Sequence, residues 1–319
     1  MVHILVLLLL LLLELAYFRI ANKYNIIDKP NLRSSHSNIT LRGGGIIFYF
    51  AAMLYFGFSN FAFPWFFLGL SLMTIISFLD DIFTLSNKLR LTIHFSSVLL
   101  MAYQLDVFSL PWYFLLITFI VVVGVLNAYN FMDGINGITA FYSLSVIILL
   151  LLTNKTFSFI DPNFLIFPAI GLLVFGFFNF RIIAKCFAGD VGSVSIAFII
   201  LFALGMLIIK TENFIYFLFL IVYGVDTVWT ILRRLYLKEN IFKAHRTHLY
   251  QYLVNEAGYN KLTVSTFYAV LQFIVGILVI WAANFDFNIQ LIFSLTLILV
   301  LSILYLGIKQ RILRKYVNP

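Results

Sequence analysis

Residues 194–209 read "VSIAFIILFALGMLII", an uninterrupted apolar run without a single charge. An amphipathic helix would return a polar group every three or four positions, and a barrel strand every second one. This run does neither, and its length is that of a helix crossing a bilayer core. The rest of the chain follows suit: of 319 residues, 63% are hydrophobic and 11% charged, with a mean hydropathy of +1.04. Soluble domains carry about 25% charged residues, so no water-soluble fold hides this much apolar surface. The reading is an all-α polytopic membrane protein forming one domain over 1–319.

Breaking the apolar runs at Gly, Pro, Asn and charge clusters predicts about eleven transmembrane helices. They fall near 3–22, 43–58, 62–79, 91–105, 111–129, 137–153, 164–180, 192–209, 214–232, 263–283 and 289–308. The first run lacks a basic leader and a small-residue cleavage site, so it reads as a retained helix rather than a signal peptide. Cys186 is the single cysteine, which excludes an intrachain disulfide.

Basic residues orient the bundle. The connections after spans 1, 3, 5, 7, 9 and 11, with their span ends, hold 19 of the 21 Lys and Arg; Lys155 and Lys210 remain for the other side. Under the positive-inside rule this predicts an odd number of spans, a periplasmic N-terminus and a cytoplasmic C-terminus. The net charge of +8 is thus a matter of topology, not of nucleic acid. Every motif-like connection falls on the basic side, including a long loop at 233–262. An enzyme working at the cytoplasmic face fits this pattern, whereas a transporter more often carries polar groups mid-span.

Four constellations carry the chemistry. Asp80 and Asp81, in "FLDD", end a span where adjacent carboxylates are costly unless they bind a cation, share protons or meet a substrate. Lys88 and Arg90 follow closely, able to hold phosphate or to neutralise the pair. In "NAYNFMDGING", residues 127–137, Asn127, Asn130 and Asp133 are spaced by three, so a continuous helix turns them one way. Their oxygens suit Mg²⁺, which takes one or two protein carboxylates and completes its shell with water and substrate phosphates; the plainer reading is a helix-ending turn. In "FAGDVGS", Asp190 lies between glycines before a span, where free backbone N–H groups make a phosphate site, though Asp is also a common N-cap. Phe187 is either an interfacial aromatic or a stacking surface for a base. Finally, "AHRTHLYQ" brings His245, Arg246 and His248. With no carboxylate or cysteine nearby in sequence, a phosphate or sugar clamp is the simpler reading than zinc. Asp226, late in the preceding span, has Arg233 or Arg234 as its expected partner. No Walker lysine, nucleophile elbow or zinc-protease motif is present. Phosphate, Mg²⁺ and an aromatic platform together point to phosphoryl transfer.

Taken in order, "FLDD", "NAYNFMDGINGI", "FAGDVGS" and "HRTHLYQ" resemble the polyprenyl-phosphate N-acetylhexosamine-1-phosphate transferases, and "DKPNLRSSHSNITLRGGG" looks like their bacterial O-antigen-initiating branch. The resemblance runs from about Asp28 to Gln251. It implies transfer of a sugar-1-phosphate from a UDP-linked N-acetyl sugar to undecaprenyl phosphate, with release of UMP, at the bacterial inner membrane. It also implies a metal site of Asn130 and Asp190 for Mg²⁺, with Mn²⁺ as a substitute, and Asp133 beside it in the nucleotide pocket. Phe187 matches the uracil-stacking position, and Asp80 and Asp81 match the pair that engages or deprotonates the lipid phosphate. The loop at 233–262, with His245, Arg246 and His248, would cover sugar and pyrophosphate and select the donor. Asn127, Asn136 and Asn179 are further substrate-binding candidates. Asn136 stands where the peptidoglycan-precursor branch usually has Asp, which argues against a muramyl-pentapeptide donor. The donor sugar is open, and a homodimer is compatible with the apolar surfaces without being dictated by them. The alternative from another class is a transporter or flippase of lipid-linked sugars.

Overall fold

The computed structural model describes residues 1–30, 35, 37–83, 85–240 and 245–317. Parts of the first long connection (31–34 and 36) and of the 233–262 loop (241–244) therefore lie outside the described residues. Twelve α-helices are described: α1 Val2–Lys23, α2 Ile46–Phe58, α3 Pro64–Phe83, α4 Asn87–Gln104, α5 Trp112–Met132, α6 Ile138–Phe157, α7 Pro162–Asn179, α8 Gly189–Thr211, α9 Ile221–Tyr236, α10 Leu249–Asn255, α11 Lys261–Ala282 and α12 Phe287–Ile312. Among the described residues nine helical segments are long and apolar enough to cross a membrane. The other two expected spans are real helices of a different kind: α2 is short, and α4 carries Lys88, Arg90 and His94. A tenth predicted span is preceded by α10, a short helix inside the connection that the sequence reads as loop.

Local chemistry sets the helix ends. Asp161, Asn260 and Asp286 cap α7, α11 and α12, each accepting a backbone N–H of the first turn, a donor that the helix itself leaves unpaired. Gly137 enters α6 at φ +85°, a left-handed conformation natural to glycine.

The run at 194–209 is the centre of the bundle. Nearly every α8 side chain from Val191 to Leu204 is buried, against α2, α3, α5 and α6. Lipid tails are as apolar as these side chains, so close packing rather than water exclusion holds the bundle. Gly45 and Gly192 let α2 and α8 meet backbone to backbone: a Cβ on Gly192 would lie 2.6 Å from Gly45 Cα. Where a 3-10 segment, Phe214–Leu220, turns into α9, Gln272 of α11 accepts the Val222 N–H at 3.0 Å and the Tyr142 hydroxyl at 2.9 Å. A broken helix at this depth survives because protein groups satisfy its backbone.

Two short strands, β1 Ile27–Asp28 and β2 Thr40–Leu41, pair antiparallel, and Leu41 bridges to Cys186 in parallel. This sheet fragment ties the connection after α1 to the one before α8. All the motif-bearing connections that the charge pattern assigns to one side meet at one end of the bundle.

Candidate active site

At that end, three carboxylates and two guanidinium groups interlock. Arg42, just past β2, reaches Asp81 Oδ1 at 2.6 Å and Asp190 Oδ1 at 3.5 Å. Arg90, in the first turn of α4, reaches Asp80 Oδ2 at 2.7 Å and Asp190 Oδ2 at 3.8 Å. Asp190 is thus held between both arginines while its side chain stays 25% exposed, and Asp81 is fully buried. Burial works against the Arg42 charge, yet Asp81, Asp190 and Asp28 outweigh it and hold its pKa above the usual value.

Asp81 does more than pair with Arg42. Its two oxygens accept the backbone N–H groups of Asp190 and Val191, each at 3.3 Å. The N-terminus of α8 is therefore capped from α3, where negative charge also meets the helix dipole. The sequence reads those amides as free for phosphate; the fold spends two of them on Asp81, and Ala188 rather than Asp190 is the N-cap. Gly189, at φ +71°, makes the approach feasible, since a Cβ there would lie 2.5 Å from Asp81 Oδ2. Asp80 turns the other way, accepting the Leu85 N–H at 2.8 Å as well as Arg90.

The asparagine-rich stretch divides into three roles. The α5 helix ends at Met132 with Asp133 as C-cap, so the expected continuous face stops there. Asn127 is exposed and donates to Val123 O one turn back. Asn136 is buried, donating to the carbonyls of Arg181 and Ile182 while its own carbonyl accepts from Ser265. Asn179, also buried, accepts the Gly137 N–H at 2.6 Å and donates to Cys186 O at 2.8 Å. Asn136 and Asn179 thus stitch the connections before α6 and before α8 to each other, and Asn136 ties them to α11. Asn130 is half-buried on the last turn of α5, and no hydrogen bond within the described residues ties down its amide. Asp133 accepts from Thr139 at 2.6 Å; burial and the Asp190 charge push it up to about 7, against the pull of Thr139 and Arg42.

Phe187 is backbone-paired on both sides, donating to Leu41 O at 2.8 Å and accepting from Gly44 at 2.9 Å. Its side chain lines a cavity of about 460 Å³ with Asn136, Ile182, Ile183, Tyr259 and Lys261.

The His-Arg-x-His segment packs over the α5 terminus. Tyr250 donates to Phe131 O at 2.9 Å, and the rings of His245 and His248 lie 6.0 and 6.1 Å from that of Phe131. Asp226 does not pair with Arg233 or Arg234. Its oxygens take His248 Nδ1 at 3.2 Å, the N–H groups of Leu249 and Tyr250, and the Tyr268 hydroxyl at 2.7 Å. The carboxylate that the histidines lack in sequence thus arrives from α9, capping α10. Arg234 binds Glu239 instead, and Arg246 binds Glu256 at 2.6 Å. Burial, then the neighbouring His248 and Arg234, lower His245 to about 4, which keeps it neutral.

No group of three or more His, Cys, Asp or Glu side chains among the described residues is arranged to hold a metal. The residues present nonetheless fit Mg²⁺: one partly exposed carboxylate, Asp190, and one uncommitted amide oxygen, Asn130, match an ion that keeps most of its shell for water and phosphate. Arg42 was the residue that sequence reasoning missed. It reads there as one more inside charge, and its only signal is its place directly before three glycines.

This is the architecture of a polytopic membrane protein with an acidic, arginine-braced site at one end. Residues 63–211 match the family described as Glycosyl transferase family 4, a span running from the start of α3 to the end of α8. The chain is 26% identical over 301 residues to "Probable undecaprenyl-phosphate N-acetylglucosaminyl 1-phosphate transferase" of Bacillus subtilis (strain 168), covering 87% of this chain and 83% of the relative. It is 26% identical to "Undecaprenyl-phosphate alpha-N-acetylglucosaminyl 1-phosphate transferase" of Thermotoga maritima, over 75% and 76% of the two chains. The Escherichia coli (strain K12) protein of the same name is 27% identical, over 58% and 56%. The chain is thus similar to Glycosyl transferase family 4 from α3 to α8, and to these transferases over more of its length.

Proposed function

We propose that the protein transfers N-acetylhexosamine-1-phosphate, or a 6-deoxy derivative, from a UDP-sugar to undecaprenyl phosphate, releasing UMP and starting a lipid-linked cell-envelope glycan such as O-antigen. UDP-N-acetylglucosamine is the donor that the relatives' names favour. The observation that carries the reading is Asp190, partly exposed between Arg42 and Arg90 where the connection after α1, the start of α4 and the start of α8 meet. The site would face the cytoplasm of a bacterial inner-membrane protein, in keeping with the charge asymmetry of the connections.

Asp190 and Asn130 would hold Mg²⁺, which when bound neutralises charge on the pyrophosphate. The cavity beside Phe187 has the size of a small-ligand site and suits the nucleotide, with uracil against the ring. His245, Arg246 and His248 would cover the sugar. An oxygen of the lipid phosphate attacks the β-phosphorus; the new P–O bond forms as the bond to the UMP oxygen breaks. A phosphate monoester is already largely ionised at neutral pH, so no strong base is required. The hydrogen bonding of Asp80 and Asp81 supports this, since both are engaged as anchors for arginines and backbone amides. Their role is then to align Arg90, Arg42 and the start of α8.

The test is incubation of the purified protein with undecaprenyl phosphate and a panel of UDP-sugars, scoring UMP release and the mass of the lipid product. Transfer without UMP release, or movement of an intact lipid-linked sugar, would support a transporter instead. Nothing in the described residues favours that reading: Glu14 lies buried beside Cys186, and Asp226 is saturated beneath His248.

A further inference from the structure

The cavity beside Phe187, about 460 Å³ in volume, has one charged side chain among its described lining residues, Lys261. Lys261 is the first residue of α11, where the positive end of the helix dipole is unfavourable to a cation. It is half-buried, no described carboxylate lies close enough to offset its charge, and no hydrogen bond within the described residues engages its Nζ. The ammonium therefore serves neither the helix nor an ion pair; what it faces is the cavity. Other polar groups of the same wall are engaged within the fold. The Asn136 amide donates to the carbonyls of Arg181 and Ile182, the Thr40 hydroxyl donates to Asn38 O at 3.1 Å, and Asn260 Oδ1 accepts the Leu262 N–H at 2.8 Å. The Tyr259 hydroxyl can donate or accept, whereas an ammonium only donates. Lys261 thus favours a ligand edge that presents an acceptor and repels one that presents an amine.

We propose that Lys261 is a specificity-determining residue: its ammonium donates to O4 of the uracil ring held against Phe187, so that the cavity takes uridine nucleotides and rejects cytidine ones. The assignment rests on the nucleotide reading of this cavity given above. Uracil carries a carbonyl oxygen at C4 where cytosine carries an amino group, so a donor at that position separates the two bases. The direction follows from the base itself. C4 lies across the ring from N1, the atom that carries the ribose, which makes O4 the part of the base farthest from the phosphates. With the phosphates at Asp190, three residues beyond Phe187, O4 points to the wall remote from that carboxylate. Lys261 is on such a wall, since it lies outside the electrostatic reach of Asp190 while lining the same cavity as Phe187.

Calorimetric titration of the full chain in lipid nanodiscs with UMP and with CMP, each in the presence of Mg²⁺, tests this directly. The wild type should bind UMP about tenfold more tightly than CMP, a margin that one hydrogen bond from a charged donor supplies. Lys261→Met should weaken UMP binding about tenfold and leave CMP within about twofold, so that the preference disappears. Lys261→Arg, which still donates, should keep it. KM for UDP-N-acetylglucosamine should rise in step with the loss of UMP affinity, with kcat changed less than about threefold, because a contact at the far end of the base is the same in ground and transition states. Equal losses for UMP and CMP in Lys261→Met, or a preference that this variant retains, overturn the proposal. If Lys261→Met fails to fold, Lys261→Gln decides by the same comparison: its amide can donate or accept and should bind both nucleotides alike. A wild type with the expected UMP preference but no UMP release from UDP-sugars and undecaprenyl phosphate would sink the proposed reaction and leave the Lys261 assignment standing.

Discussion

Arg42 holds Asp81 at 2.6 Å, and Asp81 in turn accepts the first N–H groups of α8, so the connection after α1, the end of α3 and the start of α8 share one buried junction. Three parts of the chain that are remote in sequence are made interdependent by a single carboxylate.

Arg42→Ala removes the partner of a fully buried carboxylate. Leaving such a charge uncompensated costs on the order of 2–3 kcal/mol, and Asp190 loses one of its two braces. UMP release should fall by about a hundredfold or more, with a lower melting temperature in detergent. Wild-type activity and melting in this variant would show that the junction does not depend on the arginine.

Asp190→Ala and Asn130→Ala should each abolish Mg²⁺-dependent UMP release while leaving the fold intact, since Arg42 and Arg90 keep their closer partners Asp81 and Asp80 and the Asn130 amide is tied to nothing among the described residues. Titration of Mg²⁺ by calorimetry, in the presence of UDP-sugar, should lose its signal in both. Substantial turnover in either variant would sink the metal assignment.

Asp80→Asn separates anchoring from base catalysis. The amide oxygen still accepts from Leu85 N–H or from Arg90 but no longer from both, so a positioning role predicts a partial loss of about tenfold with a pH profile of unchanged shape. A proton-accepting role predicts near-complete loss at every pH. Rates measured across the neutral range distinguish the two.

Gly192→Ala should be poorly tolerated although it adds one methyl group to an apolar helix. The new Cβ would lie 2.6 Å from Gly45 Cα and 2.9 Å from the Ala188 side chain, forcing α2 away from α8 at the site's floor. Overpacking of this kind costs about 1–3 kcal/mol, visible as reduced thermal stability in detergent. Gly224→Ala, which meets nothing within 4 Å, is the matched control and should melt like the wild type.

Much of the site was legible before the fold. Asp80, Asp81, Asp133 and Asp190 stand out because a charge in a hydrocarbon-rich chain demands a reason, and the structure gathers Asp80, Asp81 and Asp190 around two arginines. Asn136 and Asn179 were equally visible, but their amides prove to be spent on backbone carbonyls and amides of neighbouring connections. A buried amide that stitches loops and one that binds a ligand look alike in sequence. The pairing of Asp226 was read toward its near neighbours in α9, whereas it turns to His248, because α10 brings unsatisfied backbone donors that Arg233 and Arg234 cannot supply.

What the sequence determined alone was the solvent of this protein and that its polar connections share one end, since both follow from composition and from charge counted along the chain. It also marked the acidic residues. Only the tertiary structure decided which cation faces which carboxylate, that the start of α8 is capped by Asp81, and that the apolar run at 194–209 fills the protein's centre rather than its lipid surface. The reason is physical: in a chain this apolar, lipid-facing and protein-facing helix surfaces have nearly the same hydropathy. Close glycine contacts and long-range hydrogen bonds tell them apart, and these exist only once the chain has folded.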